Sequence, residues 1–392
     1  MSDTPVYLDY QATTPTDPRV VDVMLPLFTE EFGNAHSVDH SYGQKAAELV
    51  EKARKQVADL IAADPREIIF TSGATEANNL ALKGVMAFLA EHPVRGQEKR
   101  RVLVSAVEHK CVLEAARTLA RQGWDMEILP VDGDGLLDME RLRSALAGGD
   151  VALVSVMAVN NETAVVQDLA AIGRLCRDAG AYFHTDAAQA AGKIELDVEA
   201  MQIDLMSLSG HKAYGPKGVG ALYVRRRPRV RLLPLLDGGG QERGLRSGTL
   251  PVPLVAGFGV AAALALVEQE QEQDMFREFK QLLLSRLQDA VPGVLVNGSR
   301  KQAVENGVNL RISGVSAPEL LRAMPELALS MGSACSSAEL EPSYVLRAMG
   351  LDEEAALESF RLGMGRFTTR EEVERTADVM IAAIRSLRAK AA

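Results

Sequence analysis

The residues able to do chemistry stand just after short apolar runs. EIIF leads into TSGATEANN, where Ser72, Gly73, Ala74 and Thr75 precede a helix expected to start near Glu76. Free amides at a helix start, small residues and the Thr75 hydroxyl make a phosphate cradle, although the same pattern alone is more often a plain N-cap. His109 follows VLVS within VEHK, Asn160, Asn161 and Glu162 follow VALVSVM, Asp186 and Gln189 follow AYFHT, and Gly210, His211 and Lys212 follow DLMSLS. Lys212 alone reads as a surface lysine and Asp186 alone as a helix cap. Together with the cradle they are the parts that pyridoxal 5′-phosphate requires: an anchor for phosphate, an anion for the pyridinium nitrogen and an amine for a Schiff base.

These positions act together only if the runs before them are strands of one sheet. In an open α/β sheet, ligands bind beyond the carboxyl ends of the strands. Seven strand-like runs, ending near Thr71, Ser105, Val131, Met157, Thr185, Ser209 and Val224, are mostly separated by amphipathic segments of helix length. Several are continuously apolar, as suits a mainly parallel sheet covered on both faces. Residues 15–264 are read as a large α/β domain. A helical pattern from Pro251 to about Val291 leads into a smaller α/β domain made of 265–392 with 1–14.

A chain of 392 residues, 47% of them hydrophobic, can bury a large core. Its 43 basic and 53 acidic residues give a net charge of −10, which repels a phosphate backbone and argues against general nucleic-acid binding. No apolar run is read as approaching the ~20 residues of a membrane helix, and MSDTPVYLDYQ has neither a basic nor an apolar leader region, so a cytoplasmic protein is expected. The three cysteines, Cys111, Cys176 and Cys335, fit neither a disulfide framework nor a zinc site.

Several strings carry a resemblance: YLDYQATTP, FTSGATEANN, EHK, VNNE, HTDAAQ, SGHKAYGPKGVGALYVRRRPRVR, GGGQERGLRSGT and GSACSSAELEPSYVLRAMG. They resemble the cysteine desulfurases of iron–sulfur cluster assembly from about Val6 to the C-terminal helix. The resemblance implies a homodimeric, fold-type-I enzyme that uses pyridoxal phosphate to turn L-cysteine into L-alanine, leaving sulfur as a persulfide. It implies that Ala74, Thr75, Ser209 and His211 hold phosphate, that Asp186 meets the ring nitrogen and Gln189 the ring oxygen, and that His109 stacks on the ring and moves protons. Thr249 would reach the phosphate in the other subunit. Asn34, Asn161 and Arg361 would orient substrate, with Arg361 gripping its carboxylate; a planar guanidinium suits that task, and Arg366 is the second choice.

Sulfur transfer needs an accessible thiolate that can travel. Cys335 in MGSACSSAE, surrounded by small residues, fits that role and is also the candidate for a transient iron–sulfur ligand. Cys176 reads as a small core hydrophobe, and Cys111 is read as packing. The run RRRPRVR, Arg225 to Arg231, reads first as a solvated strand end; the resemblance adds docking of sulfur acceptors, scaffold proteins and small acidic partners such as a frataxin-like protein or a ferredoxin. The rival readings are a selenocysteine lyase, an aminotransferase and a non-catalytic protein on the same fold. A mobile Cys335 has no use in an aminotransferase, and a degenerate scaffold should have lost one of Lys212, Asp186 or Cys335.

Overall fold

The computed structural model describes residues 4–93, 99–331 and 341–391. Its strands are β1 (Val6–Tyr7), β2 (Ile68–Thr71), β3 (Arg101–Ser105), β4 (Asp125–Leu129), β5 (Val151–Ser155), β6 (Tyr182–Asp186), β7 (Leu205–Ser209), β8 (Gly220–Val224), β9 (Val294–Asn297), β10 (Gly307–Ile312), β11 (Leu327–Ala328) and β12 (Ser359–Gly363). Seven of them form one sheet in the order β2-β8-β7-β6-β5-β3-β4. The neighbours from β7 through β4 are parallel, while β8 runs antiparallel to both β7 and β2.

Continuous apolar sequence becomes burial on both faces. β2 sends Ile68 and Phe70 into one core and Ile69 into the other, and β3 sends Leu103 one way and Val102 and Val104 the other. The central strands also carry a polar row. His184 on β6 hydrogen-bonds the Ser155 hydroxyl at 2.8 Å through Nδ1 and the Ser207 hydroxyl at 3.1 Å through Nε2. Burial pushes this histidine's pKa down to about 3, so it is a neutral tie across β5, β6 and β7, fully partnered as a buried polar group must be.

The smaller sheet has the antiparallel order β12-β10-β9, and β1 pairs in parallel with β11. Val6 and Leu8 join its core beside Leu310, Phe360 and Leu362, which ties the start of the chain to its last third. The helix Val252–Ala290 serves both cores: Val255, Phe258 and Ala262 pack with the large sheet, Phe276, Phe279 and Leu283 with the small one. This helix amends the reading of apolar runs. It is long and apolar enough to cross a membrane, but half of its most apolar window is buried, and it packs against Ser41–Asp59 and Arg370–Ala391 as a core helix.

Candidate functional site

A cavity of about 800 Å³ opens beyond the carboxyl ends of β2, β5, β6 and β7. On one wall the helix Ala74–Glu91 begins directly after Gly73, two residues earlier than the sequence pattern predicts. Gly73 offers no side-chain cap and has φ +153, and the space where its side chain would stand is open. Its approach to the sheet depends on a second glycine. A Cβ at Gly220, the first residue of β8, would lie 2.6 Å from Gly73 Cα, a distance real side chains do not reach. The first-turn amides therefore face the cavity uncapped, together with Thr75, Ser209 and His211, which is the anion-binding form of a helix start.

Lys212 stands on a single tight turn, Gly210–Lys212, after β7. The turn closes on itself: Gly210 N donates to Val219 O, and Gly215 N to Gly210 O at 2.9 Å. The chain leaves through Tyr214 at φ +61, a left-handed backbone that costs a non-glycine residue about 1–2 kcal/mol. Tyr214 is held there by its own bonds, from its amide to Thr14 Oγ1 at 2.9 Å and from Arg366 N to its hydroxyl at 2.7 Å. Lys212 Nζ donates to the carbonyls of Gln11 at 2.5 Å and Ala12 at 2.9 Å. Burial, and secondly the Arg361 cation, push its pKa down to about 8 against the pull of Asp186 and Asp9. An amine of this kind is poised to lose its proton and attack a carbonyl.

Asp186 ends β6 with both carboxylate oxygens engaged, Oδ2 by Asn78 Nδ2 at 2.7 Å and Oδ1 by the Ala188 amide at 2.9 Å. His109 caps the helix Lys110–Arg121, where Nδ1 accepts from the Cys111 amide at 3.2 Å and lies 3.0 Å from Cys111 Sγ. Its ring borders the cavity, whose walls lower its pKa by desolvation. Cys111 also lines the cavity, with Asn78 Nδ2 3.2 Å from Sγ. It also packs against the core of one sheet face, as the packing reading expects. Burial pushes this thiol up to about 12, so it is no thiolate. Cys176 is fully buried in the core as expected.

Across the cavity, Arg361 on β12 donates to Asn161 O at 2.8 Å and to Asp9 Oδ1 at 2.6 Å. Its Nε and the Asn161 Oδ1 are buried without a partner among the described residues. Arg366 is committed elsewhere, to Asp17 at 2.7 Å and Glu272 at 2.5 Å, and does not line the cavity, whereas Arg361 does.

The model of the family described as aminotransferase class-V matches residues 6–376. The mitochondrial cysteine desulfurase of Drosophila melanogaster is 55% identical over 98% of this chain and 82% of its own length. Cysteine desulfurase IscS of Rickettsia felis is 50% identical over 98% of this chain and 92% of its own. A solved structure called a NifS-like protein superposes with a TM-score of 0.88 at 33% identity, covering 97% of this chain and 99% of that one. The chain belongs to the class-V aminotransferases, among the cysteine desulfurases.

Cysteine desulfurases of this family are enzymes that depend on pyridoxal phosphate, and the cavity fits that group. The uncapped helix start with open space in front of Gly73 suits the phosphate, Lys212 would supply the amine, and Asp186, its direction fixed by Asn78, would meet the ring nitrogen. Lys212, Asp186, His109, Gln189, Asn161, Ala74, Thr75, Ser209, His211 and Arg361 all line it. Thr249 and Asn34 do not. Both are exposed, and Asn34 holds its own turn by accepting from His36 N at 3.0 Å. Cys335 lies outside the described residues.

The sequence reading missed Gln11, Asn78 and Lys193. Gln11 and Asn78 sit in quoted strings, and Asn78 follows Ala74 by one helical turn, a spacing that could have flagged it. Lys193 carries no such signal. The arginine run is also narrower than expected: Arg225 is buried against Glu199 and the carbonyls of Val198 and Ile203, which leaves Arg226, Arg227, Arg229 and Arg231 exposed.

Proposed function

We propose that this enzyme converts L-cysteine to L-alanine and passes the sulfur on through Cys335. The observation that carries the reading is that one cavity gathers Lys212, Asp186 and the uncapped helix start, and faces them with Arg361. When bound, pyridoxal phosphate supplies an electron sink for the carbon that loses its proton. Arg361 and Asn161 orient the substrate carboxylate, and each terminal guanidinium nitrogen of Arg361 keeps an N–H beyond the one given to Asn161 or Asp9. Asp186, locked by Asn78, keeps the ring nitrogen protonated. The Lys212 amine would move the Cα proton, and His109, held toward its neutral form by burial, would exchange protons with the bound substrate.

Two described anchors support Cys335 as the sulfur carrier. Arg361 N donates to Ser330 O at 2.7 Å, and Ser343 Oγ donates to Glu162 Oε2 at 2.5 Å. Both tie points belong to residues of the cavity wall. From Ser343, Cys335 is eight residues back, and so many residues span at most about 28 Å. In this reading that length of chain is enough for Cys335 to meet the substrate sulfur. Cys111 and Cys176, both protonated, are poor alternatives.

The functional unit in this reading is a homodimer. Leu25, Phe28, Phe32 and Val38 are more than half exposed, an apolar surface suited to a second copy, and the exposed Thr249 would serve the partner's cofactor phosphate. The domain division is placed at 264/265, with Val252–Ala290 as the strut common to both. The sulfur goes to acceptors for iron–sulfur cluster assembly or other thio-products, with acidic partners meeting Arg226, Arg227, Arg229 and Arg231, and the enzyme works in the cytoplasm. The test is incubation of the holoenzyme with L-cysteine and a reductant. Equal yields of alanine and sulfide are expected; a keto acid in place of alanine would replace this reading with transamination.

A further inference from the structure

Lys193 is not part of the cavity wall, yet it is bonded to it. Its Nζ donates to Gln189 Oε1 at 2.9 Å, and the Nε2 of the same amide donates to Gln11 O at 2.7 Å. Lys212 Nζ donates to that same carbonyl at 2.5 Å. Three hydrogen bonds thus connect Lys193 with the reactive lysine through Gln189 and Gln11.

An ammonium has three donors and no acceptor, whereas a glutamine amide can present either end to its surroundings. The Gln11 carbonyl only accepts and faces Nε2, while Lys193 Nζ donates to Oε1, so the two partners together turn the amide nitrogen toward Gln11 and the cavity. The lysine is itself well placed to hold this direction. Its amide donates to Ala190 O at 2.9 Å, and the preceding Gly192, at φ +71, lies so close to the long helix that an added Cβ would come within 2.7 Å of Ala265 Cβ. Burial first, then the Lys212 cation, lowers the pKa of Lys193 to about 7, with Glu272 opposing them and Arg361 adding to them.

We propose that Lys193 is a positioning residue: it fixes the direction of the Gln189 amide so that an N–H, never the carbonyl, is offered to the cofactor's ring oxygen. The proposal rests on the reading of Gln189 as the contact to that oxygen. A fixed donor there favours the deprotonated form of the Lys212-bound cofactor, so its loss raises the pH midpoint of the visible absorbance change.

The test is a spectral titration of the holoenzyme, with thermal melting of the cofactor-free proteins to confirm folding. Lys193→Met is expected to raise the midpoint by about half a pH unit or more, roughly threefold in the proton equilibrium, and Lys193→Arg to bring most of it back. Removing a positive charge raises the midpoint through space as well, so the deciding comparison is a double-mutant cycle. In a Gln189→Ala background, Lys193→Met should move the midpoint by less than half as much as in the wild type. An equal shift in both backgrounds means that Lys193 acts by charge alone and overturns the proposal. An unmoved midpoint in Gln189→Ala by itself overturns the underlying reading of Gln189, and the proposal with it. If Lys193→Met does not fold, the same cycle runs with Lys193→Gln, whose amide removes the constraint without leaving a gap.

Discussion

Arg361 and Asp9 meet at 2.6 Å although 352 positions separate them in the chain. Asp9 bridges to Gly363 on the same strand as Arg361, so the backbone sets the pair before any substrate arrives. Asp9 takes an N–H of one terminal nitrogen and the Asn161 carbonyl an N–H of the other, which fixes the plane of the fork and leaves the second N–H of each for a carboxylate. Arg361→Lys keeps the charge but loses the plane. Its KM for L-cysteine should rise about 10- to 100-fold, about 1.4–2.8 kcal/mol, while the absorbance of bound cofactor is unchanged. Steady-state kinetics and a spectrum of the resting enzyme check both halves.

Lys212→Ala should remove the linkage that borohydride fixes between protein and cofactor; Lys110 and Lys217 also line the cavity, and an adduct that persists on either would overturn the assignment. In the wild type the pKa of Lys212 is lowered to about 8. The neutral amine is the attacking form, so capture of pyridoxal phosphate by the cofactor-free protein should speed up as pH rises from 7 toward 9 and level off above about 8. Stopped-flow absorbance measures it; a rate still climbing tenfold per unit above pH 9 would mean an amine of ordinary basicity.

Asp186→Asn should retain bound cofactor and lose nearly all turnover, because an amide does not hold a protonated ring nitrogen as a carboxylate does. The step that suffers is removal of the Cα proton. Exchange of the Cα hydrogen of a slow amino-acid substrate, followed by NMR, should fall with turnover; exchange at the wild-type rate would reduce Asp186 to a structural cap.

Cys335→Ser should leave cofactor binding and the spectral response to L-cysteine in place while abolishing persulfide formation and catalytic alanine. Serine is a far weaker nucleophile toward sulfur at neutral pH. Mass spectrometry of the wild type, treated with L-cysteine without reductant, should find added sulfur on the peptide holding Cys335. Sulfur on the peptide of Cys111 instead would contradict both the assignment and the high pKa of that thiol.

Arg54 and Glu242 form a buried pair at 2.8 Å, and Glu242 also accepts from Phe70 N at 2.7 Å. The pair pins the Glu242 loop to β2, the strand that precedes the phosphate side of the cavity. Arg54→Met leaves a buried carboxylate without its cation and should cost about 3–5 kcal/mol of stability. Chemical denaturation of the cofactor-free protein reads this directly.

The strands were legible because β5 and its neighbours are short apolar runs bounded by polar and glycine residues, and the placing of Lys212, Asp186, His109 and Asn161 after them is a matter of local order. Local sequence also offered the cradle, but only in company with Lys212 and Asp186, since small residues before a helical pattern alone are more often a plain N-cap. Pairings that join distant segments were not readable. The bond of Asp186 to Asn78, the hold of Asp9 on Arg361, and the chain from Lys193 through Gln189 to Lys212 come from residues whose neighbours in sequence say nothing of each other. The burial of Arg225 was hidden for the same reason: a run of arginines reads as surface until tertiary packing supplies Glu199 and two carbonyls. Sequence by itself determined which side chains could do the chemistry and on which strand ends they sit. Only the tertiary structure decided which way each one points and what charge it carries, because direction and pKa depend on partners and desolvation that exist only once the chain has closed around them.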